Sequence, residues 1–150
     1  MALPPYAAET IRRKKSQYCR FLDTKQWHLF DKIALPDANF DFVGPEGNVL
    51  SDGGVPFSWS NTKGFTSHFK KAFETVQTIH SIGPGELEQI GPGEVKAIWT
   101  VIYHLGPQGS ADAKHHGTGG GNYHEIWKKQ GDDWFLADLR LERFYWIFSD

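Results

Sequence analysis

The amino-acid sequence predicts an α+β domain, with helices gathered in the N-terminal half and long antiparallel strands in the C-terminal half. Three observations carry this. Apolar residues recur at intervals of three and four in three stretches before residue 77, near Thr10 to Leu22, Trp27 to Ala34 and Thr62 to Val76. From Glu94 onward they alternate with a period of two. Gly131-Asp132-Asp133, set between two such alternating stretches, is a strong hairpin signal. In this arrangement helices cover one face of a long twisted sheet, and a sheet that curls over them leaves a cone-shaped cavity.

Each element follows from its own pattern. Met1 to Glu9 carries two prolines and no period, so the first helix is expected to begin near Thr10, a suitable N-cap, and to run to about Leu22 with Ile11, Tyr18 and Leu22 on one stripe. Asp23-Thr24-Lys25-Gln26 has the form of a capping box for a second helix, whose face would be Trp27, Phe30 and Ile33 or Ala34 until Pro36 forbids continuation. Ala38 to Val43 alternates as a strand, and Gly44 to Pro56 is rich in Gly and Pro, as loops are. Phe65, Phe69 and Phe73, four residues apart, form the core-packing stripe of a third helix over Thr62 to Val76. Ile82-Gly-Pro-Gly-Glu and Ile90-Gly-Pro-Gly-Glu each mark a turn. Strands are predicted over Glu94 to Leu105, Asn122 to Gln130 and Trp134 to Phe148, and the six glycines of Gly106 to Gly121 predict a mobile loop.

Composition bounds the function. A chain of 150 residues is one domain, 1–150. Sixteen Lys plus Arg against eighteen Asp plus Glu give a formal charge of -2, so there is no general basic field for a phosphate backbone and no nucleic-acid partner is expected. The longest apolar stretch, Ala97 to Tyr103, is interrupted by Thr100 and falls far short of the roughly 20 residues of a membrane helix. With one cysteine, Cys19, and no apolar leader at the N-terminus, a cytoplasmic address is expected. Aromatic residues make up 15% of the chain, a supply of large flat side chains that suits either a ring-binding pocket or an ordinary packed sheet.

Tyr18-Cys-Arg-Phe-Leu-Asp23-Thr-Lys-Gln-Trp27, with Ile33-Ala-Leu-Pro-Asp37-Ala-Asn-Phe-Asp41 after it, resembles the SnoaL-like branch of the NTF2-like superfamily, which includes polyketide cyclases, bile-acid dehydratase and scytalone dehydratase. The resemblance continues through Thr78-Ile-His80-Ser-Ile-Gly83, Val101-Ile-Tyr-His104 and Trp127-Lys-Lys-Gln-Gly-Asp-Asp-Trp134, so it spans nearly the whole chain. It implies a cone-shaped α+β barrel. It further implies that Asp23 is the carboxylate paired with a pocket histidine, that His80 is that histidine, that Tyr18 matches the tyrosine of the bile-acid enzyme, and that His104 matches a second pocket histidine of scytalone dehydratase. Two positions depart from the latter pattern: Leu22 and Phe42 stand where that enzyme has tyrosines, which argues against scytalone as the substrate and for a drier pocket.

The residues admit other readings too. A carboxylate bonded to one imidazole nitrogen fixes the tautomer and raises the basicity of the other, so Asp23 and His80 suit proton transfer; Asp23 could equally be only the cap of the second helix. Tyr18 lies on a packed stripe as either a buried phenol or a pocket donor, and His104 shares its face with Ile98 and Ile102. Asn122 and Tyr123 begin a strand that would line the cavity, and Arg143 would aim inward at an enolate or carboxylate or else form a rim salt bridge. His115, His116, His124 and Glu125 lack the fixed spacing of a metal site, Gly117-Thr-Gly-Gly-Gly121 lacks the dinucleotide pattern, and Cys19 reads as a small core residue, so neither metal nor cofactor is expected.

These features point to a cofactor-independent lyase or isomerase that dehydrates, isomerises or cyclises an aromatic or polycyclic polyketide-type intermediate. The resemblance also implies a homo-oligomer, dimer or trimer. The competing class is a non-catalytic module that binds a hydrophobic ligand or a protein. Whether His80 and Asp23 meet inside one cavity discriminates the two.

Overall fold

The computed structural model describes residues 3–109, 112 and 114–150. Helix α1 spans Pro5–Asp23 and begins five residues earlier than its N-cap signal at Thr10 suggested. Pro5 is suited to the first helical position, where its missing N–H is no loss. The buried stripe runs Ile11, Lys15, Tyr18 and Leu22, at spacings of four, three and four.

The expected second helix is a short 3-10 helix, Trp27–Lys32, and the expected capping box is a helix terminus of a different kind. Lys25 adopts φ 58, Gln26 N donates to Phe21 O (2.8 Å) and Lys25 N to Leu22 O (3.2 Å). This pair of bonds is a Schellman motif, which closes α1 and satisfies its last carbonyls. Asp23 is therefore the last residue of α1, its side chain is free of capping duty, and the 3-10 helix has no side-chain cap at Gln26.

Strand β1 (Ala34–Val43) starts earlier than predicted and includes Pro36, which falls in the gap of its register between Ala34 and Asn39, where no ladder bond is lost. The Gly- and Pro-rich stretch contains a small hairpin, β2 (Ser51–Asp52) and β3 (Val55–Pro56), followed by β4 (Ser58–Trp59). Helix α2 (Thr62–Ala72) is capped by Asn61, whose Oδ1 accepts from Gly64 N at 2.6 Å. It ends before Val76, which instead opens β5 (Val76–Ile82). The two Gly-Pro-Gly turns lead into β6 (Glu86–Gly91) and β7 (Glu94–Pro107). Strands β8 (His116–Gln130) and β9 (Asp133–Ser149) complete the chain.

The predicted Gly106–Gly121 loop is corrected: β7 continues through Pro107 and β8 begins at His116, so most of its glycines are in strands, while residues 110, 111 and 113 lie outside the described residues. A space requirement puts glycine there. A Cβ on Gly117 would lie 2.2 Å from the Trp146 ring and one on Gly119 2.4 Å from the Tyr103 ring.

The main sheet runs β4-β1-β9-β8-β7-β5, with β6 also on β7; β1 pairs with β9 in parallel and the other pairs are antiparallel. This is the cone-like α+β architecture expected from the sequence, a curved mixed sheet with the helices packed against it. Tyr18, Phe30, Phe40, Phe65, Tyr123 and Trp99 are buried between the two layers. Among the described residues no helix is long and apolar enough to cross a membrane.

Candidate active site

The Schellman turn leaves Asp23 at the end of α1 facing β5, where strand alternation sends Thr78 and His80 inward. The Asp23 carboxylate takes three donors. Thr78 Oγ1 donates to Oδ1 at 2.9 Å, the His80 backbone N–H to Oδ2 at 3.0 Å, and the His80 ring meets Oδ1 through Nδ1 at 2.7 Å. Gln77 Nε2 also donates to the Asp23 carbonyl at 2.6 Å, fastening the strand to the helix end. Because a carboxylate accepts, Nδ1 carries the hydrogen, and Nε2 is left as the basic nitrogen. The side chains of His80 and Asp23 are 10% and 17% exposed, so the dyad is largely shielded while remaining reachable from the cavity.

That cavity has a volume of about 410 Å³. Tyr18 and Leu22 from α1, Phe42 from β1, Phe65 and Phe69 from α2, His80, Tyr103, Tyr123 and Arg143 from the sheet all face it. The His80 imidazole stacks on Tyr103, with ring centres 5.7 Å apart. The Tyr18 hydroxyl is buried and makes no hydrogen bond of ordinary geometry among the described residues, with Tyr123 as its phenolic neighbour. Burial pushes the Tyr18 and Tyr123 phenols well above their ordinary range and raises Tyr103 as well, so all three keep their protons at neutral pH and remain donors. On the opposite wall burial lowers His68, which packs against Phe57, Trp59 and Phe69.

Of the residues singled out in the sequence, Tyr18, Leu22, Phe42, His80, Tyr123 and Arg143 meet around this cavity, with Asp23 behind His80. His104 and Asn122 do not. Tyr103 and Leu105 point inward, so His104 between them points to the outer face, where its Nδ1 lies 2.9 Å from Thr118 Oγ1. Tyr123 points inward, which turns Asn122 outward to accept from Thr100 Oγ1 at 3.1 Å. Alternation likewise splits the histidine-rich segment: Glu125 is buried on the inner side with Lys15, while His124 lies 3.4 Å from Glu142. Thr78 and Tyr103 were missed by sequence reasoning, although Thr78 lies two residues from the pocket histidine His80 on the same strand and so shares its face.

A family model described as a SnoaL-like domain matches residues 7–140. A Gibberella zeae protein named "Probable cyclase FGR4" is 54% identical over 146 residues, which is 97% of each chain. Among solved structures, Kfla4162 protein from Kribbella flavida superposes with a TM-score of 0.78 at 16% identity, covering 95% of this chain and 93% of that one. A hexachlorocyclohexane dehydrochlorinase (LinA) Type2 gives 0.71 at 14% identity, covering 97% and 88%. The beta subunit of the benzoate 1,2-dioxygenase from Burkholderia mallei gives 0.67 at 14%, covering 89% and 87%. These structural likenesses speak for the fold, which carries unrelated activities.

Proposed function

The chain belongs to the SnoaL-like domain family, and on that premise we propose that it is a cofactor-independent lyase or isomerase acting on an aromatic or polycyclic polyketide-type carbonyl compound. The observation that carries the proposal is the 2.7 Å contact between His80 Nδ1 and Asp23 Oδ1 at the wall of an aromatic cavity. His80 Nε2 takes a proton from the carbon next to the substrate carbonyl. The C–H electron pair moves to the carbonyl oxygen, giving an enolate, and the imidazole becomes imidazolium beside the Asp23 carboxylate. Tyr18, whose phenol stays protonated beside that of Tyr123 at the cavity wall, is assigned the donor to that oxygen.

The imidazolium then returns its proton. Given to a leaving hydroxyl it completes dehydration, given to a distant carbon of the enolate it completes a double-bond shift, and given to an alkoxide formed by attack of the enolate carbon on a second carbonyl it completes ring closure. The name of the Gibberella zeae relative favours the last. The meeting of His80 and Asp23 weighs against a purely binding module. Leu22 and Phe42 offer no hydroxyls, so flat ring-rich compounds are preferred over sugars and short acids, whose unpaired polar groups would each cost about 1–3 kcal/mol.

We assign the exposed outer sheet face to self-association in the cytoplasm. Ile79 on β5, Ile102 on β7, and Tyr145 and Ile147 on β9 are exposed there and form an apolar patch suited to a two-fold contact. Sedimentation of Ile102→Lys against the native chain tests this.

Mass spectrometry of products after incubation with polyketide-type polycarbonyl compounds tests the main reading. Native protein should convert one of them at a rate that His80→Ala lowers about 10²- to 10⁴-fold while remaining folded. A folded His80→Ala with near-native rate would remove the mechanism.

A further inference from the structure

We infer that the substrate is an anion: a fused-ring aromatic carboxylate whose acid group is held by Arg143 while its reacting carbon faces His80. This rests on the reading that the cavity is the substrate site, and it adds what that site selects.

Arg143 is the sole Lys or Arg among the described residues lining the cavity, and it forms no ion pair with a carboxylate of the described residues. The adjacent acid, Glu142, is on the outer face with His124. The guanidinium carbon instead lies 5.6 Å from the centre of the Trp146 ring, and the guanidinium meets the Tyr103 hydroxyl. A guanidinium is planar, always charged and offers a fork of donors that matches a carboxylate, so a half-buried one left with a phenol and an indole is an anion site awaiting its ligand.

The surroundings are built for a flat molecule. Tyr103, Gly119 and Trp146 are successive partners across β7, β8 and β9, and His80 is the partner of Tyr103 on β5. The rings of His80, Tyr103 and Trp146 stack in sequence, with centres 5.7 and 6.1 Å apart. Side chains on Gly117 or Gly119 would occupy the space these rings use. Arg143 belongs to the neighbouring row, paired with Gly121. From β5 to β9 there are three strand spacings, or about 14 Å of backbone. The cavity beside this row of rings, at about 410 Å³, has room for a molecule of about two fused rings.

Equilibrium binding of 3-hydroxy-2-naphthoate, its methyl ester and 2-naphthol, followed by tryptophan fluorescence, tests the inference. The native protein should bind the carboxylate about 10-fold or more tightly than the ester, and high salt should shrink that ratio. Arg143→Gln should bring the ratio near one with little change for the ester, Arg143→Lys should keep part of it, and Trp146→Leu should weaken acid and ester alike. An ester bound as tightly as the acid by the native chain, or a ratio untouched in both Arg143 variants, would overturn the inference. The same ratio measured in His80→Ala keeps the two readings apart: preference for the acid should persist there whether or not His80 is the base.

Discussion

Lys15 Nζ lies 2.5 Å from Glu125 Oε2, and neither side chain has any exposed surface. The other carboxylate oxygen, Oε1, accepts from Trp99 Nε1 at 2.8 Å and Trp127 Nε1 at 2.9 Å, and the ammonium sits 3.9 and 3.4 Å from the ring centres of Tyr18 and Tyr123. The pair thus pins α1 to β7 and β8 directly behind two cavity tyrosines. Lys15→Met should destabilise by about 3–5 kcal/mol, because the carboxylate would stay buried without its cation. Lys15→Met combined with Glu125→Gln, which keeps an acceptor for both indoles, should recover a substantial part of that loss. Urea midpoints at constant slope measure both; a double variant no better than the single would refute the coupling.

Asp23→Asn separates charge from shape. Asn can accept on only one of the two positions that now accept, and its amide nitrogen would face a donor, so the variant should fold with stability lowered by about 1–3 kcal/mol and lose turnover, roughly 10²-fold or more, as the imidazolium loses its counter-charge. Retained activity would confine Asp23 to fastening β5 onto α1.

The glycines of β8 differ in what they protect. A Cβ on Gly121 would sit 1.9 Å from the Glu142 carbonyl oxygen, an obstacle of backbone, whereas one on Gly119 would meet only the Tyr103 ring. Gly121→Ala should therefore cost more than about 3 kcal/mol or prevent folding, and Gly119→Ala about 1–3 kcal/mol with a displaced Tyr103 and weaker ligand binding. Thermal melts rank the two; equal effects would contradict the geometry.

Alkaline solution should unfold the protein early. Burial pushes the Cys19 thiol up to about 11 from its ordinary 9.0 and holds the Tyr18 and Tyr123 phenols well above 10.0. The folded state then keeps protons that the unfolded chain gives up, so stability is full below about pH 9 and falls as pH rises from there toward 11. Cys19 alone removes on the order of 2 kcal/mol over that interval. Urea titrations at pH 7 and pH 10.5 should differ, and Cys19→Ala should flatten the dependence; equal stability at both would count against it. At pH 8 the folded thiol should also resist alkylation.

Local signals carried most of the fold. The stripe of Phe65, Phe69 and Phe73, the alternation of β7 and the turn at Gly131 are periodicities and turn chemistry that any short window shows. The Asp23–His80 pairing was legible only through family resemblance, since no local rule links residues 57 apart. At Asp23 itself a capping box and a Schellman terminus compete for the same four residues, and the backbone chose the latter. His104 rested on a positional match and Asn122 on lying beside Tyr123 at the start of a cavity-lining strand, and neither argument says which way a strand residue faces. The Gly117–Gly121 segment was taken for a flexible loop because composition does not say that neighbouring rings need the room. Lys15 sits on the buried stripe of α1, yet its partner comes from 110 residues away.

The parallel pairing of β1 with β9 sets the order of assembly. Residues 34–43 find their neighbours at 136–142, so β1 leaves the ribosome about a hundred residues before the strand it must join. Until then the β7–β8 hairpin can form while α1 and β1 wait with their aromatic faces uncovered. Such long-range closure is slow. Folding is expected to end with β9 slotting between β1 and β8, and a chain that stops short of β9 would leave both flanking strands with open edges.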